Sequence, residues 1–362
     1  NPHKNKFDLR RVRLVVGGQA LSHFEYKFEY EFQGAGSRNL LDAYVDAHLF
    51  PSASFRIGQF KEPFSLDQMT KDKDIVFAER SLGYYLTPLR DVGLMIHGTG
   101  WEDRIIYGLG VFNGDGEDDS VGGDQDSPEF TGRLVLAPFK NRGIPLANNL
   151  QVGGSLSYIR ADRNNVSVTA KTTGLTTFFN VASSAKFNVI RSVEDRTRLG
   201  AELAWAAGPV DVMGEYFQVI FRDIKTSSAQ FDTNLRDYYI SLLWMITGER
   251  PGFRNGVFQP ISPLKSIWRG GWGALGLAVR YDVFLADDSV YDNLVNAGDS
   301  VKEARAVTIA LNWWLDPCTR LILDVTRTDF DQPLLVGRDA LMGTALYSDR
   351  EDVFTGRFQF AF

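Results

Sequence analysis

The chain has 362 residues, of which 44% are hydrophobic and 13% aromatic, with 34 glycines, one cysteine and a net charge of −6. That mild acidity argues against a nucleic-acid binder, which carries a basic excess. The lone Cys318 excludes a disulfide framework and a CxxC zinc site. No stretch approaches the roughly 20 mostly apolar residues of a membrane-spanning helix: the longest uncharged run, 143–159, contains Asn, Gln and Ser. The basic start (Asn1 to Lys6) has no apolar run behind it, so a mature or trimmed chain is expected.

Taken in chain order, the pattern has a period of two. Positions 24, 26, 28, 30 and 32 are all Phe or Tyr, while 23, 25, 27, 29 and 31 are His, Glu, Lys, Glu and Glu. A strand sends alternate side chains to opposite faces, so this segment has one aromatic and one ionic face. About fifteen such segments are expected, near 7–17, 23–33, 40–50, 53–61, 91–99, 104–113, 128–138, 150–160, 196–206, 209–221, 235–247, 271–285, 303–315, 318–330 and 352–362. Tight connections fall at 50–52, 100–103, 207–209 and 315–318. Long polar ones fall at 62–90, 114–127, 161–195, 286–302 and 331–351. Segment 248–270 is an exception, a longer turn rich in Pro and Gly on the short-turn side.

Short turns at one end and long loops at the other, joined by strands of about ten residues, are the pattern of a transmembrane barrel. A soluble sheet has the same period. Three features favour the membrane: the number of long strands, aromatics near strand ends (Trp101, Trp205, Trp244, Trp313, Tyr107, Tyr281), and a small, hydrophilic polar face such as Gly153, Ser155 and Ser157. The expected fold is therefore all-β: one transmembrane antiparallel β-barrel domain over 1–362, with segment 62–90 folded inward as a constriction loop. An even count with both ends in the periplasm predicts about sixteen strands, hence one more before Asn1. A barrel of that size leaves an aqueous channel.

Leu9-Arg-Arg-Val-Arg-Leu-Val-Val-Gly-Gly18, Phe55-Arg-Ile-Gly-Gln-Phe-Lys-Glu-Pro-Phe-Ser65 and Phe77-Ala-Glu-Arg-Ser-Leu82 resemble the phosphate- and polyphosphate-selective porins of Gram-negative outer membranes. The similarity continues through Tyr158, Gly200–Trp205 and Leu311–Leu315. It implies sixteen strands, a homotrimer, and anion selectivity from basic residues at the constriction. Arg in a narrow pore favours anions and matches phosphate oxygens bidentately. Arg10 and Arg11 match the family's paired arginines, and Lys73 matches a constriction-loop lysine. Arg13, Arg56, Lys71 and Arg80 complete the expected pore-lining, anion-binding set. Asp42, Asp46, Glu29 and Glu202 are available as neutralising partners. Three positions depart from the family pattern: Gln68 stands for a central lysine, Glu25 for a further basic residue, and 166–174, with the single Lys171, for an arginine run. Loop 62–90 with its flanking Lys61 balances five bases against five acids.

The expectation is an outer-membrane porin, a passive diffusion channel for small hydrophilic solutes, anionic and phosphate-like, with weaker selectivity than specialised phosphate porins. The alternative is a barrel scaffold or sheath for a partner protein. Expected partners are lipopolysaccharide and outer-membrane lipid, and the outer-membrane assembly machinery through the terminal Phe358, Phe360 and Phe362. No cofactor, metal or enzymatic activity is expected. The four histidines (His3, His23, His48, His97) lack metal-ligand spacing. His48 near Asp46 and Asp42 falls at the short-turn end, the wrong end for surface hydrolysis. The GxGxxG of 271–276 lies inside an alternating strand instead of between a strand and a helix. The acidic stretch 115–126 has Ser120 where a calcium loop needs Gly, and reads as a solvated outer loop.

Overall fold

The computed structural model of the chain describes residues 7–33, 39–114, 127–160, 166–181, 190–295, 298–338 and 345–361. The acidic stretch 115–126 and the terminal Phe362 lie outside them. The strands, in order, are β1 Arg13–Ala20, β2 Phe24–Glu31, β3 Leu40–Phe50, β4 Ala53–Lys61, β5 Arg90–Gly100, β6 Ile105–Phe112, β7 Glu129–Leu136, β8 Gln151–Ile159, β9 Val168–Lys171 and β10 Thr177–Val181. Then come β11 Asp195–Ala207, β12 Val210–Lys225, β13 Gln230–Met245, β14 Phe253–Arg254, β15 Val257–Phe258, β16 Ala274–Ala286, β17 Glu303–Trp314, β18 Thr319–Arg338 and β19 Ala345–Phe360.

Fifteen of these form one sheet, each strand antiparallel to its neighbour in chain order, while β9–β10 and β14–β15 are separate two-stranded hairpins. β1 and β19 are the two edges of the large sheet. Both edges converge on Asp72: Arg13 of β1 donates to its carboxylate, and Arg357 of β19 donates to its backbone carbonyl at 2.8 Å. The sheet therefore curls almost fully round, and Asp72 sits inside it.

The period of two sets the faces. On β13, Tyr238, Ile240, Leu242 and Trp244 are exposed, whereas Asp237, Tyr239, Ser241 and Leu243 are buried. On β17, exposed Val307, Ile309 and Leu311 alternate with buried Ala306, Thr308 and Ala310. Apolar groups face out and polar or small groups face in, as a lipid-facing wall requires.

Several boundaries differ from the sequence expectation. Strand β1 begins at Arg13, so Arg10 and Arg11 precede it. The stretch 331–351, expected as a loop, is mostly ladder, with Leu334 opposite Ser348 and Arg338 opposite Ala345. The β12–β13 connection shrinks to 226–229 because both strands run to 16 residues. The cause is common to both: polar residues on both faces of a projecting hairpin read as loop, although cross-strand hydrogen bonds continue beyond the apolar band.

Three segments fill the interior. Loop 62–89 carries helix α1, Leu66–Met69, and a 3-10 turn, Leu82–Leu86. Segment 161–195, expected as a polar outer loop, contains the β9–β10 hairpin, whose Val166, Ala170, Phe178, Phe179 and Val181 are buried with Leu82, Leu86, Phe217, Phe221 and Phe284. Segment 246–273, the exceptional turn, folds inward from the short-turn end and buries Phe258 against Val76, Phe77, Leu243 and Ala274.

Candidate functional site

The lumen is divided, and the constriction loop is the divider. It leaves β4 flat against the wall: a Cβ at Gly108 would lie 2.8 Å from Pro63, so only glycine lets the loop pass. It then crosses to the far wall, where inward side chains hold its backbone. Glu215 accepts from the N–H groups of Leu66 and Asp67 at 2.7 and 2.8 Å and from the Ser65 hydroxyl at 3.2 Å, with Tyr239 donating to the same carboxylate at 2.8 Å. Asp324 takes the Ala78 N–H and Asp282 the Leu82 N–H, each at 2.7 Å.

Arginines hold the carbonyls. Arg280 donates to Glu79 and Arg80, Arg320 to Ile75 and Val76, and Arg357 to Ala78 and Asp72. Carboxylates for N–H and guanidinium for C=O satisfy loop backbone that is otherwise buried away from water, where each orphaned group costs about 1–3 kcal/mol. Gly83 completes the fit, because a Cβ there would collide with the Phe217 ring and the Asp237 carboxylate.

Below this loop, the inward hairpin β14–β15 spans the same half. The Gly256 carbonyl accepts from Arg133 of β7 at 2.6 Å, and that guanidinium also pairs with Glu202 of β11 at 2.7 Å. The inner side of β7–β18 is thus filled, and its ion pairs are almost fully enclosed: Arg133 and Glu202 side chains are 6% and 3% exposed.

The inner face of β1–β5 is different. Lys27, Arg13 and His97 side chains are 26%, 22% and 24% exposed, and His48 and Glu25 more so. From the long-loop end to the short-turn end the groups alternate in sign. Arg10 and Arg11 pair with Glu79 at 2.7 and 3.3 Å. Arg13 pairs with Glu31, Glu29 and Asp72. Lys27 pairs with Glu29 and Asp42 at 2.6 and 2.5 Å, and Arg90 also reaches Asp42 at 2.7 Å. Arg56 and His97 share Asp46, with Arg56 stacked 4.1 Å over the Tyr44 ring. His48 holds the Ser54 hydroxyl at 2.7 Å and approaches Glu25 at 3.5 Å.

The seven sequence-chosen cations therefore fall into two groups. Arg10, Arg11, Arg13, Arg56 and Arg80 are held by carboxylates, and Arg80 is buried between Asp67 and Asp72. Lys71 and Lys73 are exposed on the loop and make no ion pair among the described residues. Burial opposes the charge on Asp72, but Arg80, Lys61, Arg11 and Arg13 outweigh it and hold its pKa well below the usual range. Burial, and then neighbouring Glu129, push the Glu62 carboxyl well above its usual range; one of its oxygens accepts from Thr131 and the other has no hydrogen-bond partner among the described residues. Gln68, which stands at the family's lysine position, is buried and donates to the Leu89 carbonyl at 2.7 Å. Lys171 ends β9, opposite Thr177 in the hairpin, and is partly exposed.

Sequence reasoning missed the mooring residues Glu215, Asp282, Asp324, Arg280, Arg320 and Arg357. Their period-two placement marked them as inward, but their partners lie up to 285 residues away. Among the described residues no cluster of His, Cys, Asp and Glu is arranged to hold a metal.

The family described as phosphate-selective porin O and P matches residues 1–362. Porin O of Pseudomonas aeruginosa is 25% identical over 343 residues, covering 86% of this chain and 74% of that one. An uncharacterized protein of Caulobacter vibrioides is 27% identical over 295 residues, 78% of this chain and 56% of its own. Among solved structures, a loop-deletion form of OmpT of Vibrio cholerae superposes with a TM-score of 0.55 at 9% identity, covering 97% of this chain and 90% of that one. OmpF of Salmonella typhi in complex with daunomycin gives 0.52 at 10% identity, covering 96% and 89%. These likenesses show the outer-membrane porin fold.

Proposed function

The chain belongs to the phosphate-selective porin O and P family, and from that membership we propose a weakly anion-selective diffusion channel whose path runs along the β1–β5 wall. It is an outer-membrane porin; the solute class, the path and the assembly are the reading. Solute enters past the outer loops, loses part of its hydration beside loop residues 71–73, and descends the sign-alternating ladder to His48 and Glu25. The observation that carries the anion preference is the pair Lys71 and Lys73, exposed and making no ion pair among the described residues, beside the arginines of the β1–β5 ladder, which are held by carboxylates. Neutralised arginines explain why the preference is weak: the ladder presents dipoles, not net charge.

The remaining pieces follow the same reading: a homotrimer, contacts with lipopolysaccharide and outer-membrane lipid, delivery by the assembly machinery through the C-terminal aromatics, and no enzymatic role. Planar-bilayer recordings in a salt gradient, repeated in chloride and in phosphate, test it. A reversal potential of anionic sign, with similar conductance in both salts, is expected. Cation preference sinks the anion reading. A filled half-lumen is the feature a scaffold barrel would share, and absence of any conductance would put that reading in its place.

A further inference from the structure

The outward face of the sheet is apolar along its central band, and charged side chains stand beyond that band on the later strands, among them Arg222 of β12 and Arg236 of β13. On β1–β8 the outward side chains are Leu, Val, Ile, Phe, Tyr, Ala and Gly, with Gln59 the polar exception. On β17–β19 the apolar rung formed by Ile309, Val325 and Phe354 is followed, towards the long-loop end, by a rung of Val307, Arg327 and Asp352, then one of Arg305, Asp329 and Arg350, with Glu303 beyond. These residues stand on the parts of β17–β19 that continue past the apolar band.

The pairing leaves donors open. Arg327 pairs with Asp352 and Arg350 with Asp329, each at 2.7 Å across strands, and Arg305 with Glu303 along its own strand. The three guanidinium side chains remain 61%, 56% and 53% exposed at Arg305, Arg327 and Arg350. Arg305 and Arg350 use only Nε on their carboxylates, and their Nη groups make no hydrogen bond among the described residues. A guanidinium fixed through one edge presents the other as a rigid pair of donors, the geometry that takes two phosphate oxygens. The interleaved carboxylates suit the divalent cations that accompany clustered phosphates. Position selects the source: the rungs that follow the lipid-facing apolar band towards the long-loop end are where the phosphates of an outer-leaflet glycolipid lie.

We propose that Arg305, Arg327 and Arg350 form a binding site for the phosphate groups of lipopolysaccharide on the lipid-facing side of the barrel. This rests on the reading of lipopolysaccharide as a partner and assigns that contact to one face.

The test measures binding of diphosphoryl lipopolysaccharide to the full chain in phosphatidylcholine nanodiscs. The R305Q/R327Q/R350Q variant is compared with R142Q, which removes an exposed arginine from the short-turn rim. Heat-modifiable gel mobility and unchanged conductance report folding of both. About tenfold weaker binding is expected for the triple variant, none of that loss for R142Q, and a loss for the wild type equal to the triple variant's when the lipopolysaccharide is dephosphorylated. Wild-type affinity in the triple variant would overturn the site while leaving the partner reading intact. No binding by the wild type would overturn both. Displacement by inorganic phosphate at comparable concentration would also overturn it, by reassigning the site to free phosphate.

Discussion

The two halves of this lumen use the same residue types for opposite ends. On β11–β19 the inward Glu215, Asp282, Asp324, Arg280, Arg320 and Arg357 face another piece of the chain and are taken up by backbone groups of the constriction loop. On β1–β5 the inward charges face one another across neighbouring strands, and Arg13, Lys27 and Arg56 keep part of their surface in water. The filled half binds protein and the open half can meet solute. A charged, inward-facing strand residue is therefore not evidence of a pore lining until it is known what stands in front of it.

The sharpest way to break the comparison is at Glu215. E215L removes the acceptor of two loop N–H groups, the Ser65 hydroxyl and the Tyr239 hydroxyl. Burying those donors without a partner is expected to destabilise the moored loop by about 3–5 kcal/mol. Single-channel records should show larger, noisier openings; a quiet trace at wild-type amplitude would mean that the wall does not hold the loop. F258A comes next. It empties the site of a side chain that is 3% exposed and packed between loop residues 76–77 and the β13–β17 wall, at about 3 kcal/mol. Urea denaturation should detect it, and conductance should rise because the inward hairpin no longer fills its half.

How much of this was legible follows from the same contrast. Barrel, strand count and faces came from Phe24 to Phe32 and its repeats, since a period of two is a local property of sequence. Arg56 shares a face with Ser54 and Gly58, and on that face it meets Asp46 of the neighbouring strand. The filled half was not legible. Val166 to Gly174 reads as polar loop, yet Val166 and Ala170 are buried against Phe179 and Leu82. Nothing nearby reveals that Phe178 and Phe284 await them 5.1 Å apart. The inward turn was visible only as an anomaly of length and composition. Contacts between residues hundreds of positions apart are set by closure of the sheet, and a single sequence carries no local record of them.

Glu62 gives a smaller, pH-dependent test where the two halves meet. Its folded pKa is raised, so the folded state binds the proton more tightly than the unfolded chain does. Its contribution to stability is full below the unfolded value near 4.3 and is lost as pH rises through the folded value. Thermal or urea stability should therefore fall from mildly acidic towards neutral pH and above, and E62Q should flatten that part of the profile. An unchanged slope in E62Q would assign the dependence to another group.

The smallest effect is expected where function is proposed to lie. Lys71 and Lys73 are exposed, so each acts on a passing ion through water and salt, at well under about 1 kcal/mol. K71Q/K73Q should lower the anion-to-cation permeability ratio only about twofold, with the effect fading as ionic strength rises. R56Q is the informative contrast. It takes away a paired cation and leaves Asp46, whose side chain is 1% exposed, with the His97 ring as its remaining side-chain hydrogen-bond partner among the described residues. That change should move the reversal potential further towards cations than the lysine pair does, because it bares a negative charge instead of removing a screened positive one. If R56Q and K71Q/K73Q shift the potential equally, the ladder does not face the ions, and the path lies away from β1–β5.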